Sequence, residues 1–301
     1  MRVVVTGAGG FLGWHAAVHL HALNAAALGA GRPQPFRAVR LDRRGFCDPD
    51  KLARAVAGAD AILHFAGVNR GPADRVEDGN PQIAASLARA IAAAPAPPHV
   101  VYANSVRAGE ETPYGRSKRR AAEILGGATG RFTDLLLPHV FGEGARPAYN
   151  NVTATLIDAL HSGRRPRIDR SGEVCLLHAS AAERAAIGAA QAGMTGRMAP
   201  GGLSLPVPEL WERLRDMHAT YADGAFPDLG QTFARQLFNS YRAAHPRGVA
   251  VRRLEVRRDE RGMLAEASKG GGGGQAFFSR TEPGARRGDH FHISKVERFV
   301  V

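Results

Sequence analysis

Apolar and polar positions alternate along the first half of the chain in two rhythms. Short aliphatic runs read as strands buried on both faces, and longer stretches with apolar residues three and four apart read as helices. Val3, Val4 and Val5 form the first run, and a helix follows whose apolar surface comes from Leu12, Ala16, Val18, Leu20 and Leu23. "FRAVRLD" (36–42), "AILHFAGVNR" (61–70), "HVVYANS" (99–105) and "FTDLLLPHVFG" (132–142) supply further strands. "DPDKLARAVAGAD" carries proline near its start and glycine near its end, the signature of a short helix. Strand and helix in strict alternation predict an α/β fold with a doubly wound parallel sheet.

The pattern changes further on. "GRMAPGGLSLPVP" (196–208) reads as a proline- and glycine-rich connection, and helical patterning resumes at "PELWERLRDMHATYADG". "AHPRG" (244–248) marks a boundary. Beyond it, "VAVRRLEVRRDERG" reads as a strand and turn, "KGGGGG" (269–274) as a hairpin loop, and the last 27 residues as two strands around a turn at Pro283–Gly284. The expected organisation is an α/β part over 1–245, with cofactor residues to about 140 and a substrate lobe over 141–245, then a small β segment over 249–301.

Composition narrows the class. Hydrophobic residues make up 44% and charged residues 23%, as in a soluble globular protein. The N-terminus breaks into glycines after four apolar residues, unlike a signal peptide, and no run is apolar enough to span a bilayer. Two cysteines, Cys47 and Cys175, make no disulfide framework, so a reducing cytoplasm is expected and no membrane partner. The net charge of +12 is almost all arginine, since the only lysines are Lys51, Lys118, Lys269 and Lys295. The arginines are scattered without helix-turn-helix or zinc-finger spacing, which favours an anionic small substrate over nucleic acid.

The chemistry concentrates in two places. Gly7, Gly10 and Gly13 stand between the first strand and its helix. That spacing allows a tight turn, close backbone approach to a pyrophosphate, and phosphate binding at a helix N-terminus. Phe11 and Leu12 share this loop. Asp42, at the end of the second strand, could accept hydrogen bonds from an adenosine ribose and favour NAD(H), whereas Arg43 and Arg44 could hold a 2′-phosphate and favour NADP(H). Downstream, Tyr114 and Lys118 lie four apart, on one face of a helix that begins near Tyr114. A lysine ammonium beside a tyrosine hydroxyl is expected to lower its pKa from about 10, making it a usable acid and base. Ser105 ends the preceding strand, where it could hydrogen-bond a reacting oxygen.

"TGAGGFLG", "HFAGVN", "YANS" and "YGRSK" together resemble the extended short-chain dehydrogenase/reductase superfamily. The resemblance implies a nicotinamide cofactor, with Ser105 orienting the substrate oxygen, Tyr114 as acid and base, and Lys118 supporting it and binding the nicotinamide ribose. It also implies that His64, Ala66 and Gly67 line the cofactor, and it matches Asn80 to an asparagine on the flanking helix. Dehydration is not expected, because Val106 and Arg107 follow Ser105 where dehydratases carry an acidic pair; Glu110 and Glu111 read as loop charges.

"AGVNR" (66–70), "PYGRSK" (113–118) and "YNNVTATL" (149–156) resemble, more narrowly, the bifunctional sugar-nucleotide reductases of capsule biosynthesis, which carry a C-terminal cupin. This implies NADPH-dependent reduction of the 4-keto group of a UDP-linked 2-acetamido-6-deoxyhexose, giving a UDP-N-acetyl-6-deoxy-L-talosamine on the way to N-acetyl-L-fucosamine. NADP(H) is accordingly favoured over NAD(H). The sugar nucleotide would meet Asn69, Arg70, Tyr149, Asn150 and Asn151, and a homodimer is expected. "LLHASAAERAA" (176–186) departs from the tyrosine and acidic residues that the family usually carries there.

At the C-terminus, Gly284, His290, His292 and Glu297 match the first half of a cupin metal motif. On a strand the two histidines share a face, and imidazole suits zinc. The cupin strands that follow this motif, with a further histidine, are not in the sequence, so an incomplete cupin-like segment without a competent epimerase is expected. Two other readings stay open: a UDP-hexose 4-epimerase holding NAD, which Asp42 favours, and a non-catalytic dinucleotide sensor, which would not need Ser105, Tyr114 and Lys118.

Overall fold

The structure is a computed structural model that describes residues 1–245, 253–271, 274–286, 298 and 300. Two compact units divide it, one of Met1–Leu214 with Asn239–His245, the other of Arg215–Phe238 with Pro246–Val301.

The first unit is built on a parallel sheet. Its strands are β1 (Arg2–Thr6), β2 (Arg37–Leu41), β3 (Ala61–His64), β4 (His99–Ser105) and β5 (Phe132–Leu137), and, later in the chain, β8 (Gly196–Met198). Among the described residues they lie in the order β2-β1-β3-β4-β5-β8. The helices of this unit include α1 (Phe11–Gly29), α2 (Arg43–Cys47), α3 (Pro49–Val56), α4 (Ala73–Ala92), α5 (Pro113–Ala128), α6 (Val152–His161) and α7 (Ala179–Ala192). Successive strand residues point to opposite faces, so each apolar run feeds two cores. Val3, Val5, Leu63, Val101 and Leu135 pack against α1 and α7 through Ala16, Leu20, Ala186 and Ile187. Val4, Ile62, Val100 and Tyr102 face the other way, against Leu52, Ala84, Leu87, Ala121 and Leu125 of α3, α4 and α5. The doubly wound sheet expected from the alternation is therefore what forms.

Three details differ from the sequence pattern. "FTDLLLPHVFG" is two strands, because Pro138 has no N–H to continue the ladder; β6 (His139–Phe141) leaves β5 and joins β7 (Glu173–His178) in a second sheet. The glycine-rich connection at 196–208 contains the sheet's outer strand β8, and β9 (Leu203–Pro206), which pairs antiparallel with β7. Val18, assigned to the apolar face of α1, is 44% exposed, and His15 is buried instead.

α8 (Val207–Ala222) and α9 (Thr232–Ala243) each contribute residues to both units. β10 (Ala225–Phe226) pairs in parallel with the end of β12 (Gly262–Gly270), which joins Arg215–Phe238 to the C-terminal strands. β11 (Val256–Asp259), β12 and β13 (Gln275–Thr281) form an antiparallel meander, and Gly270 N donates to Gly274 O at 2.7 Å where β12 gives way to β13. Pro283 and Gly284 form the expected turn, with Gly284 at φ +80°. The second expected strand, and with it His290, His292 and Glu297, lies outside the described residues.

Candidate active site

The glycine loop is set by contact distances. Gly7 turns at φ +66°, its carbonyl oxygen accepts from Gly10 N at 2.8 Å, and a Cβ on Gly13 would lie 2.2 Å from that same oxygen. The turn thus needs a left-handed residue at 7 and none with a side chain at 13. Gly10 is the N-cap of α1 and makes no side-chain cap, so the leading N–H groups and the positive end of the helix dipole open onto the loop. Phe11 meets His15 edge-on at 5.2 Å, and Leu12 packs into the core below. This is a cradle that fits a dinucleotide pyrophosphate.

At the end of β2, Asp42 caps α2 by accepting from Gly45 N at 2.8 Å, which places Arg43 and Arg44, both exposed, in the first turn. A cavity of about 820 Å³ opens beside Arg43, with Phe46, Cys47, Val68 and Ile83 among its walls. Its size suits a nucleoside.

At the end of β3 the chain is pinned from both sides. Ala66 N donates to Thr6 Oγ1 at 3.3 Å. Asn80 of α4 accepts from Val68 N at 2.9 Å and donates to Val68 O at 2.8 Å and to Ser117 Oγ at 2.9 Å. Ser117 Oγ in turn donates to Tyr114 O at 2.8 Å. One asparagine thereby ties the Ala66–Val68 loop, Gly67 included, to the first turn of α5. His64, expected to line the cofactor, is buried in the sheet: Nδ1 shares a proton with Thr6 Oγ1 at 2.7 Å, and the ring lies between Phe46 and Tyr102. Burial, reinforced by the Lys118 charge, depresses its pKa to about 3, so it is neutral.

Ser105 and Tyr114 lie where β4 runs out, and Lys118 reaches the same strand one turn further along α5. Thr112 caps α5 through Gly115 N at 3.0 Å and Pro113 occupies its first turn, so the helix begins where the Tyr114–Lys118 spacing required. The Ser105 hydroxyl lies on the Tyr114 side of the strand end, where it acts on the phenol, and it accepts from Arg107 N at 3.2 Å. The Arg107 guanidinium lies over the Tyr114 ring at 5.9 Å while pairing with Glu110. Glu111 pairs with Arg119, so both glutamates are loop charges. Lys118 is buried; its Nζ donates to Ala103 O at 2.7 Å and sits 4.1 Å above the Tyr102 ring. Burial pulls the ammonium down to about 7, against the attraction of Asp134. The lowering expected for Tyr114 is not what this site shows. Burial pushes the phenol up, and the Ser105 hydroxyl and Arg107 only partly oppose it. The physical reason is the direction of Lys118, which is held on Ala103 and Tyr102.

The substrate-side residues gather on one loop clasp. Asn150 Nδ2 donates to Asn69 O at 2.7 Å, Arg70 donates to Ala148 O, and the Arg70 guanidinium lies 5.8 Å over the exposed Tyr149 ring. Ala148 and Asn150 are the non-glycine residues at positive φ among the described residues, +52° and +53°, a conformation held by the clasp. Asn151 is different: it is buried, caps α6 through Ala154 N at 3.0 Å and donates to Val140 O at 2.9 Å. Both ends of its side chain are engaged in structure.

The NAD dependent epimerase/dehydratase family model matches residues 3–187. The chain belongs to this family. A second model, the polysaccharide biosynthesis C-terminal domain, matches residues 257–301. A UDP-2-acetamido-2,6-beta-L-arabino-hexul-4-ose reductase of Pseudomonas aeruginosa is 28% identical over 310 residues, covering 100% of this chain and 80% of the relative. The capsular polysaccharide assembling protein CapF of Staphylococcus aureus shares the fold at a TM-score of 0.76 and 23% identity, over 98% of this chain and 79% of that one. The Bordetella bronchiseptica enzyme WbmF, solved with NAD+ and UDP, shares it at 0.64 and 14% identity, over 80% and 91%.

Within this member of the epimerase/dehydratase family, the sequence pattern missed a second group of polar residues. Asn104 and Asp134 are buried and joined, Asn104 Nδ2 to Asp134 Oδ1, at 2.7 Å. His178 pairs with Glu143 at 3.2 Å, and His15 Nε2 bonds Glu143 O at 2.7 Å, beside Phe11. His178 and the buried Glu183 both lie in the segment 176–186. An aspartate in an aliphatic strand is the one signal that could have marked Asp134. Among the described residues no group of three or more His, Cys, Asp and Glu is placed to hold a metal ion, and no helix is long and apolar enough to cross a membrane.

Proposed function

We propose that the protein is an NADP(H)-dependent reductase of the C4 ketone in a UDP-linked 2-acetamido-2,6-dideoxy-hexos-4-ulose. The observation that supports this reading is the placement of Ser105 at the end of β4 with Tyr114 and Lys118 on the helix that follows, in a chain similar over its whole length to a reductase of that substrate class.

The glycine loop would hold the pyrophosphate, Arg43 and Arg44 the 2′-phosphate, and Lys118 the nicotinamide ribose. When bound, the nicotinamide supplies the hydride for the carbonyl carbon. Ser105 Oγ donates to the ketone oxygen and orients it against Tyr114 Oη. Because burial keeps the phenol protonated, Tyr114 is poised as the acid, passing its proton to the oxygen as that atom becomes an alkoxide. Lys118 and Ser105 stabilise the charge that develops there. Arg70, Tyr149, Asn69 and Asn150 would receive the nucleotide sugar, while Asn151 shapes the loop from beneath.

Incubation of the protein with NADPH and the UDP-4-keto sugar tests the reading. Loss of the NADPH absorbance with formation of the 4-hydroxy product is expected. No loss of absorbance overturns the reductase, and interconversion of UDP-hexoses without net cofactor consumption would indicate an epimerase. A second measurement tests cofactor choice. The Arg43→Ser, Arg44→Ser double variant is expected to raise the KM for NADPH by about tenfold or more, as loss of a charged phosphate contact implies, while leaving the KM for NADH within about twofold. An equal change for both cofactors would remove the arginines from phosphate recognition.

A further inference from the structure

One cross-strand row runs through the sheet beneath α5. Thr6 pairs with His64, His64 with Tyr102, Tyr102 with Asp134, and Asp134 with Arg197. Thr6, His64, Tyr102 and Asp134 are all buried, which packing alone does not select, and Arg197 ends the row exposed on the outer strand. Lys118 lies over the centre of this row.

The groups around Lys118 can be named by element. β4 presents the Tyr102 ring and the Ala103 carbonyl. β3 presents His64, which is neutral. On its own helix stands Tyr114, whose phenol is kept protonated by burial. α4 presents Asn80, which has no charge. β5 presents Asp134, and β8 presents Arg197, whose Nε lies 3.7 Å from Asp134 Oδ2 and whose side chain is 80% exposed. Asp134 is therefore the anion on this face that acts on Lys118, and the cation that competes for it is solvated. Its position is fixed by Asn104, whose Nδ2 holds Asp134 Oδ1 at 2.7 Å while its own Oδ1 accepts from Ser105 N at 2.8 Å. The same side chain thus joins the carboxylate to the backbone of the serine in the candidate site.

We propose that Asp134, seated by Asn104, is a positioning residue that acts through Lys118, keeping the buried ammonium charged while the site works. The inference rests on the reading of Lys118 as part of the reductase site. The electrostatics agree in direction: burial drags Lys118 down and the Asp134 carboxylate holds it up. Removing that carboxylate deprives the ammonium of its counter-charge, so Lys118 loses its proton at lower pH.

The chain has four lysines, so ¹³C-lysine labelling yields a small set of ε-carbon signals, with Lys118 assigned by Lys118→Arg. In the unaltered protein, the Lys118 signal is expected to titrate near pH 7. In Asp134→Asn it is expected about one pH unit lower, the size of an attraction between partly screened charges. The alkaline limb of the NADPH-dependent rate should move by the same amount, with the rate at pH 6 within about threefold of wild type. A Lys118 titration unchanged by Asp134→Asn overturns the proposal, as does a rate lowered equally at every pH, which marks a structural role. Should Asp134→Asn fail to fold, Arg197→Gln removes the exposed competitor instead. The Lys118 titration should then move up, and no movement also overturns the proposal. If the wild type does not reduce the keto sugar, the reductase reading fails while the lysine titration still decides the role of Asp134.

Discussion

Tyr114→Phe is expected to lower the rate of keto-sugar reduction by about a thousandfold or more, within the range general acids contribute. The substitution removes one oxygen and keeps the ring. The ring is what packs at the head of α5 under the Arg107 guanidinium, so the fold and the loop tied to α5 by Asn80 should persist. NADPH binding, followed by quenching of intrinsic fluorescence, should stay within about twofold. What disappears is the proton. Ser105 remains able to polarise the ketone, but the alkoxide would have to find a proton from water in a buried site. Rapid-mixing traces of NADPH absorbance measure the effect, and a variant within tenfold of wild type would remove Tyr114 from the chemistry.

Gly13→Ala is the second large effect expected. The added methyl would stand 2.2 Å from Gly7 O and 2.6 Å from Gly7 C. Those are backbone atoms of a turn that Gly10 also hydrogen-bonds, so neither can yield without moving the loop. The cost should be about 1–3 kcal/mol, the range of overpacked interior sites, expressed as a lowered melting temperature and NADPH affinity weakened about a hundredfold. Gly9→Ala is the control, because a Cβ there meets nothing within 4 Å. If Gly13→Ala bound NADPH as tightly as Gly9→Ala, the loop would not be the pyrophosphate cradle.

Much of the first unit was legible as pattern. The aliphatic runs at Val3–Val5 and 99–105 marked strands because a parallel strand must be apolar on both faces, and the glycine spacing marked the loop because only one backbone path lets α1 approach β1. The Tyr114–Lys118 spacing read correctly because helical periodicity is local. β8 did not stand out: three residues in a glycine-rich stretch carry no rhythm, and they become a strand only because the edge of β5 is there to pair with. β10 did not stand out for a similar reason, since it is two residues long and is defined by its distant partner in β12.

The sequence by itself determined the alternation of strands and helices through β5, the glycine loop after β1, and that Tyr114 and Lys118 share one helix after the strand that ends at Ser105. These follow from local periodicity and from contacts short in sequence. Only the tertiary structure decided how those groups are charged. Asp134 and Tyr102 lie across neighbouring strands, His64 turns inward, and Lys118 is held on Ala103 instead of on Tyr114. Burial and long-range pairing set those states, because the electrostatic environment of a side chain depends on everything folded around it.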